Sequence, residues 1–197
     1  VFYDMNNDDA EIAGEIISGS LMLSNHSYGF LSGWVFGYRG DSKWTWLGDP
    51  AVDKVKDSTF GQYSSTARQI DVMLYNAPTY LYVSSAGNKH GDGPTSQPVD
   101  HWVWDNGQWT SSSDVRDDQS SYEQIGHDKM AKNMMTVGAI QKFTGAYTGP
   151  NSVRASSFGS WGPSDDGRVK PDITAPGVHV FSTVPWGYDW FDGTSMS

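Results

Sequence analysis

The sequence predicts an α/β domain built on a parallel sheet, and three observations carry that expectation. Short apolar runs that read as buried strands ("LMLSNHS", "TYLYVSSAG" and "MMTVGAI") recur along the chain. Early on, such runs alternate with stretches of helical spacing, and a parallel strand pair needs a long crossover of that kind rather than a tight turn. The chain has 197 residues, enough for one sizeable core, and the length prior points to a single domain.

The elements follow in chain order. "VFYDM" reads as a short strand and "NNDD" as a set of cap candidates. The helix they open has Ile12, Ala13, Ile16 and Ile17 at helical spacing. "LMLSNHS" is the next buried strand. A long loop over residues 30–60 comes after it, with Gly33, Gly37 and Gly40 and several aromatics. "SSTARQIDVMLYNA" is a second amphipathic helix, with Ala67, Ile70, Met73 and Leu74 on one face. "TYLYVSSAG" is a strand ended by glycine. Residues 89–128 then interrupt the pattern with a polar, Gly/Asp/Ser-rich stretch containing "HWVWDNGQW". It carries too few aliphatics for a core of its own, so a surface insertion more mobile than the sheet is expected. "MMTVGAI" and, later, "VHVFSTV" complete the strands, and no internal repeat is present.

Composition excludes several classes of function. A net charge of -10 and a pI near 4.7 make nucleic acid and anionic membrane surfaces poor partners. The absence of cysteine rules out disulfides and thiolate metal sites. No apolar run approaches the roughly 18 residues of a membrane span. Nine Trp, ten Tyr and eight Phe against 18% charged residues suit a secreted bacterial protein. The chain opens inside a strand-like run with no initiator Met and stops at "FDGTSMS", so truncation at both ends is expected.

The chemistry concentrates in three stretches. "SSAGN" puts Asn88 just beyond a buried strand, where an amide can point into a cleft at the strand's carboxyl end. "SSFGSWGPSDDGRVKPDITAPG" is a long segment punctuated by glycine and proline. "GTSMS" gives a glycine, a threonine and a serine poised to open a helix. Taken singly, a serine after Gly-Thr is a helix cap and an asparagine after glycine is a turn residue. Taken together, in this order and spacing, the stretches closely resemble the subtilisin-like serine proteases, the subtilases. "NHSYG", "AGN" and "KNMMTVGAI" extend the resemblance over most of the chain, leaving residues 30–60 and 89–128 outside it. "YDMNND" followed by "LMLSNHSYG" looks like the secreted subtilases of Bacteroidetes-type bacteria.

The resemblance implies a three-layer subtilisin-like fold with a mostly parallel central sheet. It also implies a chain covering the middle and later part of a catalytic domain over residues 1–197. Ser195 would be the nucleophile and Asn88 a side-chain donor to the oxyanion, with Gly193 and Thr194 in the turn beside the substrate. Ser27, Tyr28 and Gly29 would form an extended edge to which a peptide adds as a strand. Ser84, Ser85 and Ala86 would form the opposite wall of the primary specificity pocket, with Gly87 before the oxyanion asparagine. Gly29 would leave room for the substrate.

The family's Asp and His motifs do not occur in the chain. His26, His90, His101, His127 and His179 all read as structural or solvated, with His26 a buried, hydrogen-bonded strand residue. The 197 residues alone are therefore expected to be inactive. No cofactor is required. Structural calcium is conceivable from "NNDD", "GDG" and "VRDDQ", but it is not assignable, and none of these has EF-hand spacing. The expected partner is a polypeptide substrate, and the expected state is a secreted monomer. Two other readings remain open at this point. One is a catalytically inactive subtilase-like domain that binds peptides, and the other is an aromatic-rich glycan-binding module.

Overall fold

A computed structural model describes residues 14–16, 18–19, 21–117, 119–142 and 145–197. The strand expected over "VFYDM", the "NNDD" cap and Ile12, Ala13 and Ile17 lie outside the described residues. Gly14, Glu15, Ile16 and Ser18 are helical, and Ile16 packs against the main core.

The main sheet has four parallel strands: β1 (Leu23–His26), β4 (Leu81–Ser85), β7 (Met135–Ile140) and β8 (Ile173–Pro176), side by side in that order. Register pairs Leu23 with Leu81, Val83 with Met135 and Val137 with Ile173. This is an α/β fold of the subtilisin-like kind, and three of its strands are those expected from "LMLSNHS", "TYLYVSSAG" and "MMTVGAI". β8 was not expected as a strand. Pro171 and Pro176 bracket it, but Asp172 Oδ2 accepts the Thr136 N–H at 2.7 Å and starts the pairing to β7.

The crossover before β4 is the helix α1 (Ser65–Tyr75), capped by Ser64, whose Oγ accepts the Ala67 N–H at 3.2 Å. Its buried Ala67, Ile70 and Leu74 pack with Tyr82 and Ala86 from the β4 region, and with Ile125, Met130, Ala131 and Met134. Asp71, on the same helix, is buried because its carboxylate is fully used. It accepts from Tyr63 Oη and from the backbone N–H groups of Lys132 and Asn133. Helix α1 is thereby tied to the segment that feeds β7.

Residues 30–60, read as loop, contain β2 (Trp34–Phe36) and β3 (Trp44–Trp46). These join β5 (His101–Asp105) and β6 (Gln108–Ser112) in a second four-stranded sheet, ordered β2-β3-β5-β6. Its core is Trp34, Trp46 and Val103, with Trp44 and Val99 against them. Aliphatics are scarce here, and two fully buried indoles supply the apolar area in their place. The 89–128 stretch is thus divided, since its 101–112 hairpin completes this sheet while Ile125 enters the main core.

"VHVFSTV" forms β9 (Val180–Val184), which leaves the parallel sheet. It pairs antiparallel with β10 (Gly187–Phe191) in an exposed hairpin stiffened by ring contacts, Phe181 stacked on Tyr188 and tilted against Trp190. The short Pro185-Trp186 link permits only that local pairing.

Candidate active site

The site is assembled where the turn after β10 meets the carboxyl ends of β1 and β4. Gly193 N–H donates to Gly177 O at 2.8 Å and opens a single 3₁₀ turn, Thr194–Met196. Asn88 Oδ1 accepts from both the Thr194 N–H and the Thr194 hydroxyl, each at 2.9 Å. The same hydroxyl accepts the Gly87 N–H at 3.1 Å. These bonds orient the amide, because with Oδ1 engaged, Nδ2 is left as the donor. A Cβ at Gly193 would stand 3.5 Å from Nδ2, so glycine keeps the space before that donor open.

Ser195 sits one residue beyond Thr194 and is half-buried. Its Oγ donates to Ser27 O at 3.3 Å, and Ser27 Oγ donates to Ser195 O at 3.4 Å. The Thr194–Met196 turn therefore docks on the residue that follows β1. Asn88, more than a hundred positions away in the sequence, is thus bonded to Thr194, the residue before Ser195.

Gly87 has a φ of +104°, where an L side chain is strained, and a Cβ there would lie 3.0 Å from Ser160 Oγ. Ser160 is fully buried and fastens this turn. Its N–H donates to Gly87 O at 2.8 Å, and its Oγ accepts the Lys89 N–H at 2.9 Å. A second fastening comes from Gln119, whose Nε2 donates to Lys89 O at 2.9 Å while its Oε1 accepts the Trp34 N–H at 2.7 Å. Lys89 Nζ reaches Trp34 O at 2.9 Å. Sequence reasoning named neither Ser160 nor Gln119. Ser160 lies inside the quoted "SSFGSWGP" run, and that run was the only available signal.

Ser84, Ser85 and Ala86 are buried. Ser84 Oγ donates to His26 O at 3.3 Å, and Ala86 belongs to the main core. What β4 offers a ligand is consequently backbone more than side chain. Tyr28 and Gly29 are exposed. Glycine at 29 also has a reason inside the protein. A Cβ there would fall 2.5 Å from Asp128 Oδ2 and 2.8 Å from Lys129 Nζ, so its absence accommodates that ion pair.

Each of the five histidines has its own partners. His26 is 2% exposed, stacks on Tyr82 at 3.6 Å, and bonds Ser24 Oγ and Tyr28 Oη. Burial, and then the nearby Lys129 ammonium, push its pKa down to about 4. His90 stacks on Trp161, and His179 stacks on Trp190. His101 contacts Val99 O and the Arg116 guanidinium, and His127 contacts Ser64 Oγ.

Among the described residues, no three His, Cys, Asp or Glu side chains converge on a metal position. "NNDD" lies outside them, and the Asp92 of "GDG" pairs with Lys89. No described helix is long and apolar enough to cross a membrane. On the second sheet, Arg39 sits 4.7 Å over Trp102 and 5.0 Å over Trp109, so part of that aromatic surface is already covered by a cation.

Comparison with known proteins agrees with this geometry. Residues 5–197 match the Subtilase family. Pyrolysin from Pyrococcus furiosus is 46% identical over 55 residues, which are 26% of this chain and 4% of that protein. A C5a peptidase from Streptococcus pyogenes is 40% identical over 68 residues, 34% of this chain and 6% of its own length. The subtilisin-like protease SBT3.16 from Arabidopsis thaliana is 37% identical over 81 residues, 38% of this chain and 11% of its own. The matches thus span only a small part of those proteins, but the family match runs over nearly all of this one, and the chain belongs to the subtilase family.

Proposed function

We propose that the chain is part of the catalytic domain of a secreted subtilisin-like serine endopeptidase acting on extended polypeptide. Ser195 Oγ attacks the scissile carbonyl carbon, and its proton passes to a histidine supplied by a longer polypeptide than these 197 residues. The carbonyl oxygen, now an oxyanion, accepts from Asn88 Nδ2 and from the Ser195 N–H at the start of its turn. Collapse expels the amine, which takes the proton back from that histidine, and leaves an acyl group on Ser195 that water then removes. Ser27, Tyr28 and Gly29 carry one side of the substrate, and Ser84, Ser85, Ala86 and Gly87 carry the other. No cofactor enters this chemistry.

The observation that carries the reading is the pair of hydrogen bonds from Thr194 to Asn88 Oδ1. They turn the amide donor toward the Gly193 backbone, beside the serine. Family membership and relatives with protease names support the same reading.

The test is made on the full-length protein. Ser195→Ala is expected to abolish both peptide hydrolysis and labelling by a serine-directed phosphonate. Asn88→Ala is expected to lower turnover by about 10²–10³, the size of this effect in subtilisin, a family member, with KM little changed. The 197-residue chain by itself is expected to show no enzymatic hydrolysis, because Ser195 lacks a base. Peptide binding without cleavage by the full-length protein would favour an inactive relative instead. Recovery of the protein from the culture medium checks secretion.

A further inference from the structure

We propose that Lys129 is a positioning residue that sets the geometry of the primary specificity pocket by bracing its two walls from behind. The inference rests on the protease reading above and deepens it.

Lys129 is only 7% exposed, and its ammonium is spent on three acceptors. These are Tyr28 O at 2.5 Å, Ser84 Oγ at 3.1 Å and Asp128 Oδ2 at 3.3 Å. An ammonium has three donors, so this one is satisfied in full, as burial of the charge requires. The two uncharged acceptors belong to the two stretches that the protease reading makes the walls of the pocket, after β1 and on the adjacent β4. The Lys129 carbonyl in turn accepts the Thr136 hydroxyl at 3.1 Å, which anchors the brace to β7.

The consequence for a substrate follows from peptide geometry. In a trans peptide the C=O and the next residue's N–H point in opposite directions. Holding the Tyr28 carbonyl inward on the ammonium therefore turns the Gly29 N–H outward, as the donor an added strand needs. A Cβ at position 29 would fall 2.5 Å from Asp128 Oδ2 and 2.8 Å from Lys129 Nζ, so a side chain there would displace the ion pair that makes the brace. Tyr28 is gripped a second time through its hydroxyl, 2.7 Å from His26 Nδ1. An apolar residue at 129 could fill the volume but could not select the direction of the carbonyl.

The experiment uses the full-length protein, with competent sites counted by phosphonate titration. Two peptides are compared that differ only in alanine or phenylalanine before the scissile bond. Per titrated site, Lys129→Met is expected to raise KM about tenfold while kcat stays within about twofold. It should also move the phenylalanine-to-alanine ratio of kcat/KM by about tenfold. Lys129→Arg, which keeps a buried donor cation, should recover most of both. A merely structural lysine would lower the number of titratable sites and leave KM and the ratio per site unchanged, and that result overturns the brace. If Lys129→Met does not fold, Ser84→Ala removes one anchor of the same brace. It should raise KM in the same direction by a few-fold, and an unchanged KM would overturn the inference equally. Wild-type protein that neither cleaves nor labels at Ser195 takes down the protease reading and the brace together. Labelling and cleavage with indifferent Lys129 variants takes down the brace alone.

Discussion

The two four-stranded sheets solve the same problem with different material. The parallel sheet buries aliphatic and small residues under α1, and at the ends of β1 and β4 it carries small polar side chains that the Thr194–Met196 turn meets closely. The second sheet has almost no aliphatics and closes over Trp34 and Trp46, with the Arg116 guanidinium 4.4 Å above the Trp46 ring. The difference teaches where precision at the site comes from. Asn88 stands at the end of the parallel sheet, but the turn that holds it is fastened by Gln119 and Lys89 to the backbone of Trp34. The aromatic sheet is a buttress for the Asn88 turn as well as a covering.

The largest effect expected from breaking this arrangement is at the buttress core. Trp34→Ala in the full-length protein removes a fully buried indole and should cost about 3–5 kcal/mol of stability. Chemical denaturation of the variant measures it. If the second sheet is only a covering, the protein that remains folded will turn over substrate at the wild-type rate per titrated serine. If it is a buttress, that rate falls as well.

A finer version removes the fastening and spares the core. Gln119 is 2% exposed, and Gln119→Ala leaves the Trp34 N–H and the Lys89 carbonyl without their partner. Buried groups stranded in this way cost about 1–3 kcal/mol. The denaturation midpoint should fall accordingly, and kcat should fall several-fold while KM moves less, because the displaced turn carries the oxyanion donor and only the end of the substrate wall. A change confined to KM would contradict this division of labour.

The sequence exposed these regions unequally for physical reasons. β1, β4 and β7 were legible because buried parallel strands are short continuous apolar runs. The approach of Asn88 to the turn at Thr194 was legible because local motifs mark both stretches. β2 and β3 were hidden because each is three residues long, sits among glycines and is stabilised by indoles rather than by an alternating aliphatic pattern. β8 was hidden between prolines. Ser160, Gln119 and Lys129 were illegible for another reason. Each acts through a bond to a residue about thirty to a hundred positions away, and nothing in the local sequence announces such a partner. Gly29 is the instructive case, since the sequence marked the position while the ion pair packed against it lies a hundred residues further on.

The smallest predicted effect separates the two regions by acidity. His26 lies under the parallel sheet's site, stacked on Tyr82, bonded to Ser24 and Tyr28, and close to the Lys129 ammonium. Its pKa is lowered from 6.5 to about 4, by burial first and by Lys129 second. Above pH 6.5 the imidazole is neutral in folded and unfolded chains alike, and stability is complete. As the pH falls below 6.5 the unfolded chain takes up a proton that the folded one refuses, so stability is lost progressively until about pH 4. Between pH 7 and pH 5.5 this amounts to about 1 kcal/mol. His26→Gln, which cannot protonate, should flatten that part of the stability profile in denaturation experiments. Lys129→Met should flatten it only slightly, since burial remains the larger cause. In the second sheet, His101 is lowered in the same direction, by burial first, although the Val99 carbonyl opposes the shift. The remaining acid slope after His26→Gln should accordingly fall with His101→Gln. A profile unmoved by the first substitution and abolished by the second would assign the acid sensitivity to the aromatic sheet instead.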